Sequence, residues 1–151
     1  MRILDSLYCK IRRKEIEKAI TRVEKLKTST FLQGLTRECW KNNIQYNIIY
    51  KNSEALMISV IGRKKNVLIK YHRINKVSLK YLEEFVTNME QYESNKGIYI
   101  STGCFEHECK EVRNVALIDC HKFIKDQLGA YGKTKDVFES KKLKFYLYLP
   151  D

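Results

Sequence analysis

Lys70 is the residue whose type and position suggest chemistry most directly. It lies in segment 67–71 (Val-Leu-Ile-Lys-Tyr), which is otherwise apolar and has the short, β-branched character of a buried strand. An ammonium group at such a position can contact a phosphate. It can equally lie at a strand end and reach solvent along its aliphatic stem. The sequence leaves both interpretations open.

A basic segment surrounds this lysine. Residues 62–80 contain no acidic side chain, and the pattern predicts that a hairpin tip, a strand exit and a helix entry all carry positive charge. We expect these groups to form one patch that binds backbone phosphates with salt-sensitive affinity, although a Lys-rich hairpin tip can also serve solubility alone. The candidate nucleic-acid-binding residues are Arg63, Lys64, Lys65, Lys70, His72, Arg73, Lys76 and Lys80.

Cysteine and histidine residues provide a weaker signal. Cys104, His107 and Cys109 are followed ten residues later by Cys120 and His121, and thiolates with imidazoles suit zinc. The spacing matches no strong zinc module, and no orienting pair supports a cysteine nucleophile. We therefore expect no metal site and no resident cofactor, and we expect the cysteines to be reduced thiols.

Composition limits the class of protein. The 151 residues carry 29 Lys plus Arg against 18 Asp plus Glu, a net charge of +11, and 44% of them are hydrophobic. One domain over residues 1–151 is expected, with a basic helical extension at 1–28 and a core at 29–151. No segment has a membrane span or secretory signal pattern. These features predict an intracellular, reducing compartment, nuclear or cytoplasmic, with a mitochondrial location possible.

The hydrophobic periodicity predicts a mixed α/β chain. Amphipathic helices are expected at 7–27 and 31–41, followed by strands at 45–50, 55–61 and 66–71 that begin as an antiparallel hairpin. Ser78 should cap a helix that ends near residue 93, and Asp119 should cap a helix at 120–128. Further strands are expected at 97–101, 115–118 and, as an edge strand, 144–149, with a short helix at 105–113. This order predicts a three-layer sandwich around a mixed sheet.

Three segments carry a resemblance to a known family. Segment 67–73 (Val-Leu-Ile-Lys-Tyr-His-Arg) resembles the central strand of Mrr-like restriction endonuclease domains, which belong to the PD-(D/E)XK nuclease superfamily. Segment 97–105 resembles the next core strand with its glycine turn. Segment 117–120 (Leu-Ile-Asp-Cys) resembles the step that opens the last core helix. The resemblance implies a restriction-endonuclease-like fold and a site built around Lys70.

The carboxylates that this family uses to hold Mg²⁺ are missing from the matching positions. A Gln or Glu is expected two residues before the lysine, where this chain has Leu68. The expected Asp falls near Leu56 or Met57, and the expected helical Glu near Leu32 or Gln33. Without anionic oxygens, the site could not offset the free energy that Mg²⁺ loses on dehydration. The resemblance therefore implies a degenerate active site in which Lys70 is the remaining catalytic residue.

The sequence thus favours a nucleic-acid-binding protein, catalytically inactive, that contacts a DNA or RNA backbone within a larger assembly. The first alternative is a Mg²⁺-dependent endonuclease in which Lys70 acts with relocated carboxylates, Glu54 and Glu83 or Glu84. The second is a structural subunit that binds an acidic protein or ribosomal RNA. No base-reading motif and no membrane association are predicted.

Overall fold

A computed structural model describes residues 13–112, 114–128 and 143–150. The helices are α1 (Arg13–Glu24), α2 (Thr28–Lys41), α3 (Leu79–Gln91), α4 (Cys120–Leu128) and a 3₁₀ helix, Phe145–Tyr148. The strands are β1 (Gln45–Lys51), β2 (Ala55–Ile61), β3 (Asn66–His72), β4 (Lys76–Val77), β5 (Lys96–Ser101), β6 (Cys104–Phe105) and β7 (Val115–Ile118). No helix within these ranges is long and apolar enough to cross a membrane.

The main sheet is mixed, with the strand order β1-β2-β3-β5-β7. β1, β2 and β3 are antiparallel neighbours, whereas β5 and β7 continue the sheet in parallel with β3. β3 is therefore the central strand, where the antiparallel hairpin meets the crossover connections. The predicted α/β sandwich with its mixed sheet and preceding amphipathic helix is confirmed.

One face of the sheet is covered by α1, α2, α4 and the 3₁₀ helix. Tyr71 anchors this layer, because its ring stacks on Phe31 with centroids 4.2 Å apart and planes at 3°. Its hydroxyl donates a buried hydrogen bond of 2.6 Å to the carbonyl of Leu26, between α1 and α2. One side chain of β3 thus fixes where both N-terminal helices lie.

The opposite face packs against α3. Leu82, Phe85 and Met89 lie on one side of this helix and form a second core with residues of β2, β3 and β5. Gly97 faces them, and a Cβ at this position would lie 2.5 Å from the Met89 sulfur. Glycine therefore lets α3 pack directly against β5.

The capping predictions for α3 and α4 are confirmed. Ser78 Oγ accepts a hydrogen bond from the Tyr81 N–H, and Asp119 Oδ1 accepts one of 2.8 Å from the Lys122 N–H. The predicted start of α2 at residue 31 is three residues late. Thr28 belongs to the first turn, where its hydroxyl donates to the Asn52 carbonyl at 2.6 Å instead of capping a later start.

Two predicted elements are wrong. The first is the helix expected at 105–113. Cys104–Phe105 instead forms a short strand that pairs in parallel with Lys76–Val77. The chain then turns, with the Cys109 N–H bonded to the Glu106 carbonyl. Residue 113 lies outside the described residues. In place of an edge strand at 144–149, the segment forms a 3₁₀ turn because Phe145 and Tyr148, three residues apart, are both buried.

The predicted first helix, 7–27, is observed in part as α1, which ends at Glu24, three residues before the predicted end; residues 7–12 of that prediction lie outside the described residues. Ile16, Ala19 and Val23 are buried in the same core as β3 and α4. The division at residue 28 into an extension and a core stays a prediction.

The Tyr71 hydroxyl can be tested by removing it alone. We expect Tyr71→Phe to lower the free energy of unfolding by about 1–2 kcal/mol, because the Leu26 carbonyl loses its buried donor. Tyr92→Phe, which alters a tyrosine that is 38% exposed, should change it by less than about 0.5 kcal/mol. Urea denaturation measures both. Equal effects of the two substitutions would contradict the anchoring role.

Candidate functional site

Lys70 lies inside the protein rather than on its surface. It points toward the α3 side of β3 and is only 6% exposed. Its Nζ lies 5.2 Å from the ring centroid of Tyr99 and 5.5 Å from that of Tyr81. The electron-rich faces of these rings partly replace the water that the ammonium loses. Burial lowers the pKa of Lys70, and the carboxylates of Glu84 and Glu54 oppose that shift.

His72 lies two residues further along the same face and is also buried. Its Nδ1 is 2.8 Å from the Tyr99 hydroxyl, and its Nε2 is 3.4 Å from Glu54 Oε1. Burial, followed by the charge of Lys70, lowers the pKa of His72, while Glu54 raises it. Burial also raises the pKa of Tyr99, so this phenol keeps its proton.

These shifts define the hydrogen-bond directions in the cluster. An ionised carboxylate can only accept, so a neutral His72 must carry its proton on Nε2 and donate it to Glu54. Nδ1 then accepts from the Tyr99 O–H. The cluster therefore holds a neutral imidazole between a phenol and a carboxylate, with the Lys70 ammonium on the same strand face.

Glu54 is held at this position by the turn before β2. Asn52 Oδ1 accepts hydrogen bonds of 2.9 Å from the N–H groups of both Glu54 and Ala55. The Glu54 carbonyl accepts a hydrogen bond of 2.7 Å from the Arg73 N–H. Because Ala55 pairs with His72, the Glu54 side chain comes directly to the exit of β3.

The structure brings some of the relocated carboxylates toward Lys70 and leaves another outside. Glu54 and Glu84 both influence the Lys70 pKa. Glu83 and Glu84 are both exposed and line the same hollow on α3, but Glu83 is not among the charges that shift the Lys70 pKa. The two carboxylates that act on Lys70 are thus Glu54, from the turn before β2, and Glu84, from α3.

The positions where the resemblance predicts ligands carry no carboxylate in the folded protein. Leu68 lies on the Lys70 face and is fully buried, and Met57 pairs with Lys70 across the β2–β3 ladder. Leu56 faces the opposite core. Leu32 packs against that same core, and Gln33 is exposed on α2. None of these five positions supplies an anionic oxygen.

The described residues around Lys70 offer few ligands for Mg²⁺. Over the described ranges, no group of three or more His, Cys, Asp and Glu side chains could hold a metal ion. Glu54 already accepts a hydrogen bond from His72, and burial, not a carboxylate, dominates the Lys70 pKa. The four described cysteines are packed or bonded locally: burial raises the pKa of Cys120 to about 11, and Cys109 Sγ contacts the Val77 carbonyl.

The basic segment is divided between the two ends of β3. Arg63, Lys64 and Lys65 are exposed at the β2–β3 hairpin tip, whereas Lys76 and Lys80 are exposed beyond the other end. Seven residues of strand separate these groups by about 20 Å. The eight candidates therefore do not form the single continuous patch that the sequence suggested.

Three of the candidates are engaged inside the fold. Lys70 and His72 are buried, as described above. The Arg73 guanidinium donates to the carbonyls of Glu24 at 3.0 Å and Ser53 at 3.4 Å, so it ties the end of α1 to the β1–β2 turn. Five exposed cations remain available to phosphates: Arg63, Lys64, Lys65, Lys76 and Lys80.

The aromatic part of the site could not be identified from local sequence patterns. Tyr99 and Tyr81 come from β5 and α3, distant in sequence from Lys70, and only the strand register and helix packing bring them together. One available signal was the i, i+2 spacing of Lys70 and His72, which places two polar groups on one face of a buried strand.

The buried His72 gives a pH dependence with a definite sign. The pKa of His72 in the folded protein is below the ordinary 6.5. Below about pH 6.5 the unfolded chain therefore binds more protons than the folded one, and the free energy of unfolding decreases as the pH is lowered. We expect His72→Gln to flatten the decrease in unfolding free energy between about pH 7.5 and 5. His107→Gln, at a side chain 92% exposed, should leave the slope unchanged. Denaturant melts across this range measure it, and an unchanged slope in His72→Gln would refute this assignment.

Comparisons with known proteins place this arrangement in a family. Two solved structures are similar to this chain at low scores: the DNA modification-dependent restriction endonuclease AspBHI, at 8% identity and a TM-score of 0.40, and the MspJI restriction endonuclease in complex with a 27-mer oligonucleotide, at 13% identity and a TM-score of 0.36. The matches cover 72% and 97% of this chain, but this chain spans only about a third of theirs, 34% and 36%.

No curated protein sequence matches this chain. The family model of the Mrr catalytic domain, described as restriction endonuclease, matches residues 48–125, from β1 into α4. That segment includes all three motifs identified in the sequence, the central strand β3 and the buried cluster around Lys70. It makes up more than half of the 151 residues. This chain belongs to the Mrr-type restriction endonuclease catalytic domain family.

Proposed function

We propose that this protein binds DNA through its backbone phosphates and does not cleave it. The observation that carries the proposal is the acid-free segment 62–80, which leaves exposed cations at both ends of the central strand. Duplex DNA carries about one phosphate per 1.7 Å of its axis, so one duplex can contact groups about 20 Å apart. DNA, rather than RNA, follows from the restriction endonuclease family.

The helix N-terminus at Ser78 supports the same interface. α3 begins beyond the exit of β3, and its first turn contains the exposed Lys80. Free N–H groups and the positive end of the helix dipole favour phosphate at this end, near Lys76. The hairpin tip then supplies a second, separate contact through Arg63, Lys64 and Lys65.

Loss of cleavage is proposed because Leu68 and Met57 replace the anionic surroundings that a divalent ion needs beside Lys70. We propose that Lys70 now serves the fold, as a cation enclosed by Tyr81 and Tyr99. We further propose that residues 1–151 act as one domain within a larger assembly, because the exposed cations suit a DNA-holding subunit.

The endonuclease alternative has one specific observation in its favour. Glu54 and Glu84 both favour the charged form of Lys70, and Glu54 also contacts His72 at the start of β2. If substrate phosphate and a divalent ion together completed this set, the protein would hydrolyse DNA. The other alternative, a structural subunit bound to an acidic protein or ribosomal RNA, uses the same exposed cations without DNA.

The binding proposal predicts which charges matter. Lys64→Glu/Lys65→Glu and Lys76→Glu/Lys80→Glu should each weaken duplex binding about tenfold or more at low salt, and should reduce the salt slope by about two. Lys14→Glu/Lys18→Glu makes the same charge change on the exposed side of α1 and should have little effect. Fluorescence anisotropy of a labelled duplex over a salt series measures all three.

Equal losses in the three double variants would show that only net charge matters and would refute the assigned surfaces. Absence of salt-sensitive duplex binding by the wild type would refute the DNA-binding function, and tighter binding to an RNA duplex would assign the cations to RNA.

Cleavage is tested separately on supercoiled plasmid with Mg²⁺ or Mn²⁺. We expect the wild type to nick no faster than Lys70→Ala or Glu54→Gln, because the Leu68 position holds no ligand. Circular dichroism confirms that each variant is folded. Nicking by the wild type that both substitutions abolish would establish the endonuclease alternative instead.

A further inference from the structure

Trp40 is the most exposed large apolar side chain in the described part of the protein. It lies in the last turn of α2 and is 76% exposed. Large aromatic side chains are normally mostly buried, so this exposure needs a reason. Tyr146, 56% exposed, and Ile61, 37% exposed, add apolar area at the same end of the molecule.

The Trp40 indole is held in place by the fold. Its Nε1 donates a hydrogen bond of 3.2 Å to the Tyr46 hydroxyl on β1. The turn between the two elements is tight: the Ile44 N–H bonds to the Cys39 carbonyl at 2.9 Å, and Asn43 adopts a positive φ of 56°. The ring therefore projects from two regular elements in a defined orientation.

The surroundings of this ring have a distinct chemistry. Trp40 and Tyr46 line a groove with Asn47, Ile61 and Arg63, and a second hollow lined by Tyr146 and Pro150 adjoins it and shares Arg63. Among the described residues that line the two hollows there is no carboxylate, and the only charged group is the Arg63 guanidinium; the other polar groups include side-chain amides, two tyrosine hydroxyls and the Trp40 indole N–H. We name Trp40, Tyr46, Asn47, Ile61 and Arg63 the Trp40 surface.

The Trp40 surface lies beside the basic hairpin tip. Gln45 pairs with Ile61 at the start of β1, so the indole, Arg63 and the exposed Lys64 are at one end of the sheet. An aromatic face next to cations and amides can bind a nucleotide through its base, its phosphate and its hydrogen-bonding edge. The stacking contact requires a base that is free of its own duplex, whereas the phosphate contact does not.

We propose that the Trp40 surface binds single-stranded nucleic acid, with one base stacked on the indole and the adjacent phosphate on Arg63 and the hairpin tip. The proposal deepens the proposed DNA-binding function and depends on it for the charge of the hairpin tip. It adds a preference for unpaired bases, because a duplex keeps its base faces covered by neighbouring bases. A second copy of the chain is a poorer occupant, since each copy carries +11.

Trp40 is the only tryptophan in the chain, so it reports its own occupancy. We expect oligo(dT) of about 16 nucleotides to quench and shift the tryptophan emission, because base stacking excludes water from the ring. A duplex of equal length should bind without comparable quenching. Oligo(U) of the same length tests RNA. Equal quenching by oligo(dT) and oligo(U) would define single-stranded nucleic acid in general as the ligand.

Substitutions separate stacking from charge. Trp40→Ala should weaken single-strand binding roughly 5- to 100-fold by anisotropy, and Trp40→Phe should recover most of the loss. Both should leave duplex affinity within about twofold. Tyr92→Ala removes an exposed aromatic on the α3 layer and should change neither affinity. The Trp40→Ala effect should persist at high salt, whereas that of Arg63→Gln should shrink.

Two results would overturn the proposal while leaving DNA binding intact: duplex binding with no quenching by oligo(dT), or a Trp40→Ala variant with unchanged single-strand affinity. A change in sedimentation mass on Trp40→Ala would also overturn it, because the indole would then be covered by another copy. Failure of all nucleic acid binding, by contrast, would refute the proposed function itself.

Discussion

The burial of β3 on both faces is the constraint from which the rest of the structure follows. It has neighbours on both sides, β2 antiparallel and β5 parallel, and helices cover both faces. A strand in this position cannot present a side chain to water along most of its length. Lys70 and His72 must therefore be stabilised by protein groups, since an isolated buried charge costs several kcal/mol or more.

The protein satisfies this requirement with aromatic rings as well as carboxylates. Two tyrosine rings face the Lys70 ammonium, and the Tyr99 hydroxyl is also bonded to His72. Glu54 and Glu84 approach from the rim, where they keep contact with solvent. The result is a polar cluster that contains the neutral imidazole of His72 and the lowered-pKa amine of Lys70 but few groups that could bind a metal ion. Such an arrangement stabilises a core more readily than it holds a divalent ion.

Much of the fold could be predicted from the sequence, because local patterns determine it. Short β-branched and aromatic runs identified β2 and β3, and the side chains of Ser78 and Asp119 fixed the starts of α3 and α4. The two wrong elements depend on distant partners. The segment around Phe105 pairs with β4. The Phe145 ring packs against Gly34 and against the ring of Phe31, both on α2. No local pattern contains that information.

The site was predictable only in part, and for the same reason. Lys70 and the apolar ligand positions can be identified within one strand and its neighbour, so sequence reasoning located them. The Tyr99 and Tyr81 rings come from other elements, and the Glu54–His72 contact depends on an Asn52 turn that brings the carboxylate to the strand exit.

The length of β3 separates two kinds of surface that the sequence placed in one segment. Lys70 and His72 near one end are committed to the interior, while the hairpin tip at the other end stays exposed and basic beside Trp40. A charged group in the buried cluster carries a desolvation cost, whereas a charged group at the exposed hairpin tip stays hydrated and carries none. Under the proposed function, contacts with DNA therefore depend on the exposed ends of the central strand, and the middle of that strand holds the two layers together.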